Sequence, residues 1–214
     1  MSAIINEPDH RILPGDEFIP SPGKTVTHSI TIHALPEMVW PWIIQMGAGR
    51  AGWYSYDHID NGGMPSAKKI IQELQHVETG DIIPAVPKSK DAFIVREIQL
   101  NKLLVLVVPV QSAAENHDPV TRMKGPLRVS WALILEPIDD GSSRLISRGR
   151  MSKQWLKPSP TDVIRKPQFF IERVYNALSK MPWFLLMPLA MTGHYFMERR
   201  MLRGIKLRVE TCAN

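Results

Sequence analysis

Arg128-Val-Ser-Trp-Ala-Leu-Ile-Leu-Glu-Pro137 and Arg144-Leu-Ile-Ser-Arg-Gly-Arg-Met151, joined through Asp139-Asp-Gly-Ser142, are the runs on which the fold turns. In the first, Val129, Trp131, Leu133 and Leu135 fall at every second residue, the period of a strand with one buried face, and Asp-Gly is a hairpin signal. The pair therefore predicts adjacent antiparallel strands. On the second, Arg144, Ile146, Arg148 and Arg150 share a face. Solvent is the default environment for such arginines; if they enter a cavity they need an acid, and Asp57 is the candidate partner.

Upstream, Asp91 to Ile98 and Lys102 to Val108 read as two more strands with a tight polar turn near Asn101, and Ile82 to Val86 as a short edge segment containing Pro84. Residues 109–126 form a long polar loop of the kind that serves as a lid or a mobile connection. Further back, Thr25 to His33 alternates, placing His28 with Val26, Ile30 and Ile32, as a core or cavity-edge residue. Pro36 and Glu37 then open a helix carrying Val39, Trp42, Ile43 and Met46 inward, expected to stop at Gly47. Trp53 to Asn61 reads as a short helix or turn, and Ser66 to Gln75 as a helix capped by Ser66 with Ile70, Ile71 and Leu74 inward.

After a proline-broken linker at 157–167, the pattern is helical. Phe169 to Lys180 is one segment, Pro182 and Pro188 are breaks, and Leu189 to Glu210 is the last helix. Its stripe is Met197, Met201, Ile205 and Val209, with Glu198, Arg199, Arg200, Arg203, Lys206 and Arg208 on the other faces. The order strand, helices, antiparallel strands, long helix predicts an α+β fold in which one face of the sheet covers the final helix.

At 214 residues, with 44% hydrophobic and 22% charged content, the chain suits a single domain, 25–214, behind a proline-punctuated extended leader at 1–24. The net charge of +5 is scattered except in the last helix, which favours a mildly basic surface over a nucleic-acid partner. The single cysteine, Cys212, rules out a disulfide within the chain and suits a reducing compartment. With no basic and apolar leader at the N-terminus, a cytoplasmic location is expected. The apolar run from Pro182 to Met197 is interrupted by Pro188, Gly193 and His194 and falls short of the ~20 residues that span a bilayer.

The segment Trp40 to Asp60 collects three tryptophans, two tyrosines and three glycines, the chemistry of a pocket wall with hydroxyl and carboxylate tips. Within it, Gly47-Ala-Gly-Arg-Ala-Gly52 matches G-x-G-x-x-G but lacks the preceding strand, the following helix and the later acid, so it reads as a helix stop and turn. No H-E-x-x-H or G-x-S-x-G occurs, and Asp57-His-Ile-Asp60 alone is too little for a metal. No cofactor and no metal are expected.

Several stretches together resemble the START-like superfamily, the SRPBCC or polyketide cyclase-like group. They are Ile30-Thr-Ile-His-Ala-Leu-Pro-Glu-Met-Val-Trp-Pro-Trp-Ile-Ile-Gln-Met-Gly47, Gly52-Trp-Tyr-Ser-Tyr-Asp57, Ser130-Trp-Ala-Leu-Ile-Leu-Glu-Pro137, Ser143-Arg-Leu-Ile-Ser-Arg-Gly-Arg150 and Met197-Glu-Arg-Arg-Met-Leu-Arg-Gly-Ile-Lys206. They look like a bacterial branch of it. The resemblance implies a helix-grip fold, a curved antiparallel sheet wrapped around a long C-terminal helix with two short helices after the first strand. It also implies a hydrophobic tunnel between sheet and helix, used in the superfamily to bind lipids, hormones or polyketides and in some members to cyclise or dehydrate them. It carries over no catalytic residue.

Two functions follow as expectations. One is binding of a small hydrophobic molecule, lipid, isoprenoid or polyketide-like, against Trp53, Tyr54, Tyr56, Trp131, Met197 and Met201. The other is a cofactor-independent cyclase or lyase working by general acid–base chemistry, with Tyr54, Tyr56, Asp57, Arg148, Arg150 and His28 as candidates. For Tyr56 and Asp57 the alternative is a tie between helix and sheet. Trp183, Phe184, Leu185 and Leu186, beside the basic last helix, would suit a transient contact with a membrane surface.

Overall fold

The structure, a computed structural model, describes residues 5–6, 11–87, 92–110, 119–153 and 183–212. Its strands are β1 (Ile5–Asn6), β2 (Lys24–Ile32), β3 (Ile82–Pro84), β4 (Ala92–Gln99), β5 (Leu103–Pro109), β6 (Leu127–Asp139) and β7 (Ser142–Met151). They form one antiparallel sheet in the order β1-β2-β7-β6-β5-β4-β3. The helices are α1 (Pro36–Ile44), α2 (Asp57–Asp60), α3 (Pro119–Lys124) and α4 (Trp183–Cys212). The fold is thus α+β, with the C-terminal helix packed on the sheet.

Period-2 alternation decides which residues meet that helix. Ile30, Ile32, Leu104, Leu106, Leu133, Leu135 and Leu145 face α1 and α4, where Val39, Trp42, Ile43, Met201, Leu202, Ile205 and Val209 complete the main core. The intervening residues are not solvated. Leu103, Val105, Val107, Ala132, Ile134 and Ile146 form a second core on the opposite face, closed by Leu13 and Met123. The unbroken apolar run of β5 follows from being buried on both faces.

The segment 11–23, expected as an extended leader, supplies part of this second cover. A single 3-10 turn at Asp16–Phe18 follows Gly15, whose φ of 91° is left-handed. A Cβ at Gly15 would come within 3.3 Å of Ala132 Cβ and Ser130 Oγ, a tight fit that adds to the strain a side chain would meet at this φ. Ser130 Oγ donates to Gly15 O at 2.9 Å.

Three local expectations are corrected. No α-helix forms at Ser66 to Gln75; only Gln72–Leu74 make a 3-10 turn. Outside groups take the backbone bonds a helix would use: Gln45 accepts from Ile71 N–H and donates to Lys69 O, Ala67 N–H donates to Ala51 O, and Arg208 donates to Ala67 O. Pro188 does not end a helix, because α4 runs through it from Trp183. Thr192 Oγ1 donates to Pro188 O at 2.7 Å within that turn. Finally, α1 ends at Ile44, where Arg50 donates to Ile44 O and Met46 O as well as to Leu74 O. The loop 47–52 folds back through reciprocal Gly47 and Gly52 backbone bonds, a turn and not a phosphate cradle. The Phe169 to Lys180 segment lies outside the described residues, as does most of the 109–126 loop; within the latter, residues 119–124 are helical.

Candidate functional site

A cavity of about 340 Å³ lies between the sheet and α4. Its aromatic wall is Trp53, Phe93 and Trp131, brought by the loop after Gly52, by β4 and by β6, with ring centroids 5.4 to 5.6 Å apart. Met197 and Met201 line it from α4, and Val108, Val129 and Met151 from the sheet. Trp53 is fixed by its Nε1–H donating to Ala85 O at 3.0 Å.

The polar pole is built from residues that the sequence pattern does not single out. Glu198, placed by its position among the polar faces of the last helix, is instead 4% exposed and lines the cavity. Of the stripe predicted from four-residue spacing, Met201, Ile205 and Val209 are buried and Met197 half-buried; the inward face is wider than that stripe and also takes in Leu202 and Glu198. Its Oε2 accepts from His28 Nδ1 at 2.7 Å and stands 3.4 Å from His194 Nε2 one turn earlier. Its Oε1 accepts from Ser147 Oγ, which in turn accepts from Trp131 Nε1 at 2.8 Å. Aromatic wall and buried acid are thus one hydrogen-bonded unit. His28 also packs edge-on to Tyr195 at 5.3 Å. A smaller cavity of about 260 Å³, lined by Lys24 to His28 with Met191 and Tyr195, shares His194 with the first.

Asp60, at the end of α2 and 6% exposed, also lines the main cavity. Its Oδ1 has no hydrogen-bond partner among the described residues. Burial pushes its carboxyl up to about 6, and the Asp57 charge on the same short helix adds to the effect. Arg128 also lines the cavity and is engaged in an interaction of its own.

Of the residues singled out from sequence, Trp53, Trp131, Met197 and Met201 converge on the cavity, and His28 stands behind Glu198. Tyr54 and Tyr56 are not among its lining. Tyr54, with a left-handed φ of 57°, packs so tightly on α4 that a Cβ at Gly204 would lie 2.2 Å from Tyr54 O. Its hydroxyl accepts from Gln45 Nε2 at 2.8 Å, its ring lies 4.4 Å from the Arg208 guanidinium carbon, and burial pushes its phenol up to about 12. Tyr56 is half exposed, with Arg200 over its ring.

Asp57 is not the partner of the arginines. Its carboxylate accepts from Ser66 N–H at 3.1 Å and from Ser66 Oγ, tying α2 to the loop beyond it. Arg148 and Arg150 turn to the far face of the sheet, where Asp16 meets them. Arg148 donates to both Asp16 oxygens at 3.0 and 2.9 Å and to Thr27 Oγ1 at 2.7 Å. Arg150 Nη1 lies 3.3 Å from Asp16 Oδ2. Proline-rich surroundings give no sign of this acid, because its partner lies 132 residues away. Among the described residues no three His, Cys, Asp or Glu side chains group as a metal site would require.

Neither a family model nor a curated protein matches the chain. Solved structures similar to it include protein MLL2253 from Mesorhizobium loti, at 12% identity over 88% of this chain and 98% of that one, with a TM-score of 0.39. A conserved protein of unknown function, EF2215 from Enterococcus faecalis, matches at 8% identity over 73% of this chain and 65% of that one, with a TM-score of 0.36. CalU16 from Micromonospora echinospora matches at 14% identity over 100% and 95%, with a TM-score of 0.32. Likenesses at this level carry no argument about what the chain does.

Proposed function

We propose that this chain is a START-like, helix-grip protein, one domain over 25–214 with the preceding segment against its outer face, that binds a small hydrophobic molecule between sheet and α4. The observation that carries the reading is the 340 Å³ cavity, within the usual range for small-molecule sites and walled by aromatic and methionine side chains with few polar groups. Denaturing mass spectrometry of gently purified protein should find a co-purified hydrophobe, and an environment-sensitive apolar dye should bind with quenching of tryptophan emission. Protein that is empty and takes up no dye would overturn it.

A second reading, a cofactor-independent cyclase or dehydratase on such a ligand, is favoured by one observation: Glu198, held by His28 and Ser147, and Asp60, shifted toward neutrality, line the same cavity. Acid–base work then falls to Glu198 and Asp60 in place of Tyr54, Tyr56 and Asp57. Turnover that survives both Glu198→Gln and Asp60→Asn would discard it. A cytoplasmic location, and exchange of ligand at a membrane surface, belong to the same proposal. Among the described residues no helix is long and apolar enough to cross a membrane, and the side chains of 183–187 lie outside those described.

A further inference from the structure

We infer that the molecule held in this cavity ends in a protonated amine, and that Asp60 is its counter-ion. This rests on the proposal that the cavity binds a small apolar molecule, and it names the chemistry of the polar end. Three observations converge. Asp60 and Glu198 line one cavity in a chain whose net charge is +5, so acidity is concentrated where the surface as a whole is basic. The two acids differ in how fully they are satisfied: Glu198 is taken up by His28, Ser147 and His194, whereas Asp60 is held by Ser55 and backbone groups and its buried Oδ1 has no hydrogen-bond partner among the described residues. A buried carboxylate left with an unused acceptor is costly, and a ligand donor relieves the cost. The remaining wall includes Trp53, Phe93 and Trp131, and aromatic rings suit a cation better than an anion.

The alternatives fit less well. A carboxylate-ended ligand would meet two acids against one guanidinium, that of Arg128, among the described lining. A hydroxyl would use the Asp60 acceptor but gain nothing from its charge or from the aromatic faces. The groups around Asp60 that bear on its titration are Asp57 on the same helix, Ser55 beside it, Glu198 and His194 on α4 and Arg128 on β6.

Isothermal titration calorimetry with octylammonium chloride, octanol and sodium octanoate, which share a chain and differ in charge, tests the assignment on the full chain. Octylammonium should bind at least tenfold tighter than octanoate, and its affinity should fall as pH drops through about 6, where Asp60 takes up a proton. Asp60→Asn should lower octylammonium affinity about tenfold, change octanol affinity by clearly less than that and abolish the pH step. Equal affinity for all three probes, or preference for octanoate, overturns the amine assignment and leaves the apolar cavity standing. Failure of every probe to bind overturns the cavity reading itself. A pH step that persists in Asp60→Asn belongs to His194 or His28 and removes Asp60 from the role. The wild-type probe series stands even where the variant folds poorly.

Discussion

Thr27 and His28 on β2 face Arg148 and Ser147 on β7 in two successive rungs of one ladder, yet the rungs belong to opposite sides of the molecule. The Thr27–Arg148 rung points to the outer face, where Asp16 accepts from Leu13 N–H as well as from Arg148 and meets Arg150. The His28–Ser147 rung points to α4, where Glu198 borders a cavity. Both acids are buried, at 4% exposure each, so burial alone does not separate them. What separates them is what lies beyond: Asp16 is enclosed by donors and backbone, a clasp holding residues 11–23 to the sheet, whereas Glu198 and Asp60 share a space another molecule can enter.

The sharpest way to break this comparison is Asp16→Ala. It leaves the Arg148 guanidinium, 7% exposed, without its acid, and breaking a buried pair from one side costs about 3–5 kcal/mol. Urea unfolding should show that loss with apolar-dye binding retained; a loss below about 1 kcal/mol would mean that the clasp does not hold the segment.

Asp60→Asn should move stability the other way. The folded-state carboxyl, at about 6, lies above its ordinary 3.8, so the native state keeps a proton that the unfolded chain releases between those values. Stability therefore falls as pH rises from about 4 to 6, and the full penalty, up to about 3 kcal/mol, persists above 6. The variant should be the more stable protein at pH 7 and should converge with wild type near pH 4. Parallel stability–pH curves would show that Asp60 is not strained.

Glu198→Gln, which keeps the shape but weakens what His28 and Ser147 are offered, should cost about 1–3 kcal/mol, less than Asp16→Ala. It should also shift the His28 ring resonances in NMR. A cost as large as that of Asp16 would make Glu198 a second clasp. The smallest effect is expected from Trp131→Phe, which keeps the aromatic wall and removes the Nε1 donor to Ser147. About 1 kcal/mol should be lost by thermal unfolding, and no loss would disconnect the wall from the buried acid.

The second core shows how far patterning reaches. Alternation in β6 and β7 is readable because each strand has a face that must be apolar, and the observed ladder pairs them as that alternation requires. The same pattern leaves open whether the other face meets water, and for Arg148 the default of solvent was the wrong one. For the site, Trp53, Trp131, Met197 and Met201 were visible as large or soft apolar residues at buried spacing. Glu198 was not, since one acid in a helix with Arg199, Arg200, Arg203, Lys206 and Arg208 reads as part of a solvated face until the rotation of the helix is known. His194 and Glu198 at i and i+4 were the available signal. Asp60 was visible only as a weak metal-ligand signal in Asp57-His-Ile-Asp60, and its burial and unpartnered Oδ1 come from tertiary packing.

By itself, then, the sequence determined which segments pair as strands, that a helix follows the strand at 25–33 and that a long helix closes the chain, and it favoured a helix stop and turn over a dinucleotide loop at 47–52. Period and turn chemistry are local, so they survive in a linear reading. Tertiary structure alone decided the partners of the charged groups: Asp16 with Arg148, Glu198 with His28 and Ser147, Asp57 with Ser66, and Asp60 with Ser55 and backbone groups, its Oδ1 left without a hydrogen bond among the described residues. Those choices depend on distances set across 9 to 170 residues by the packing of the whole chain, and the energy of a buried charge depends on whatever that packing places beside it.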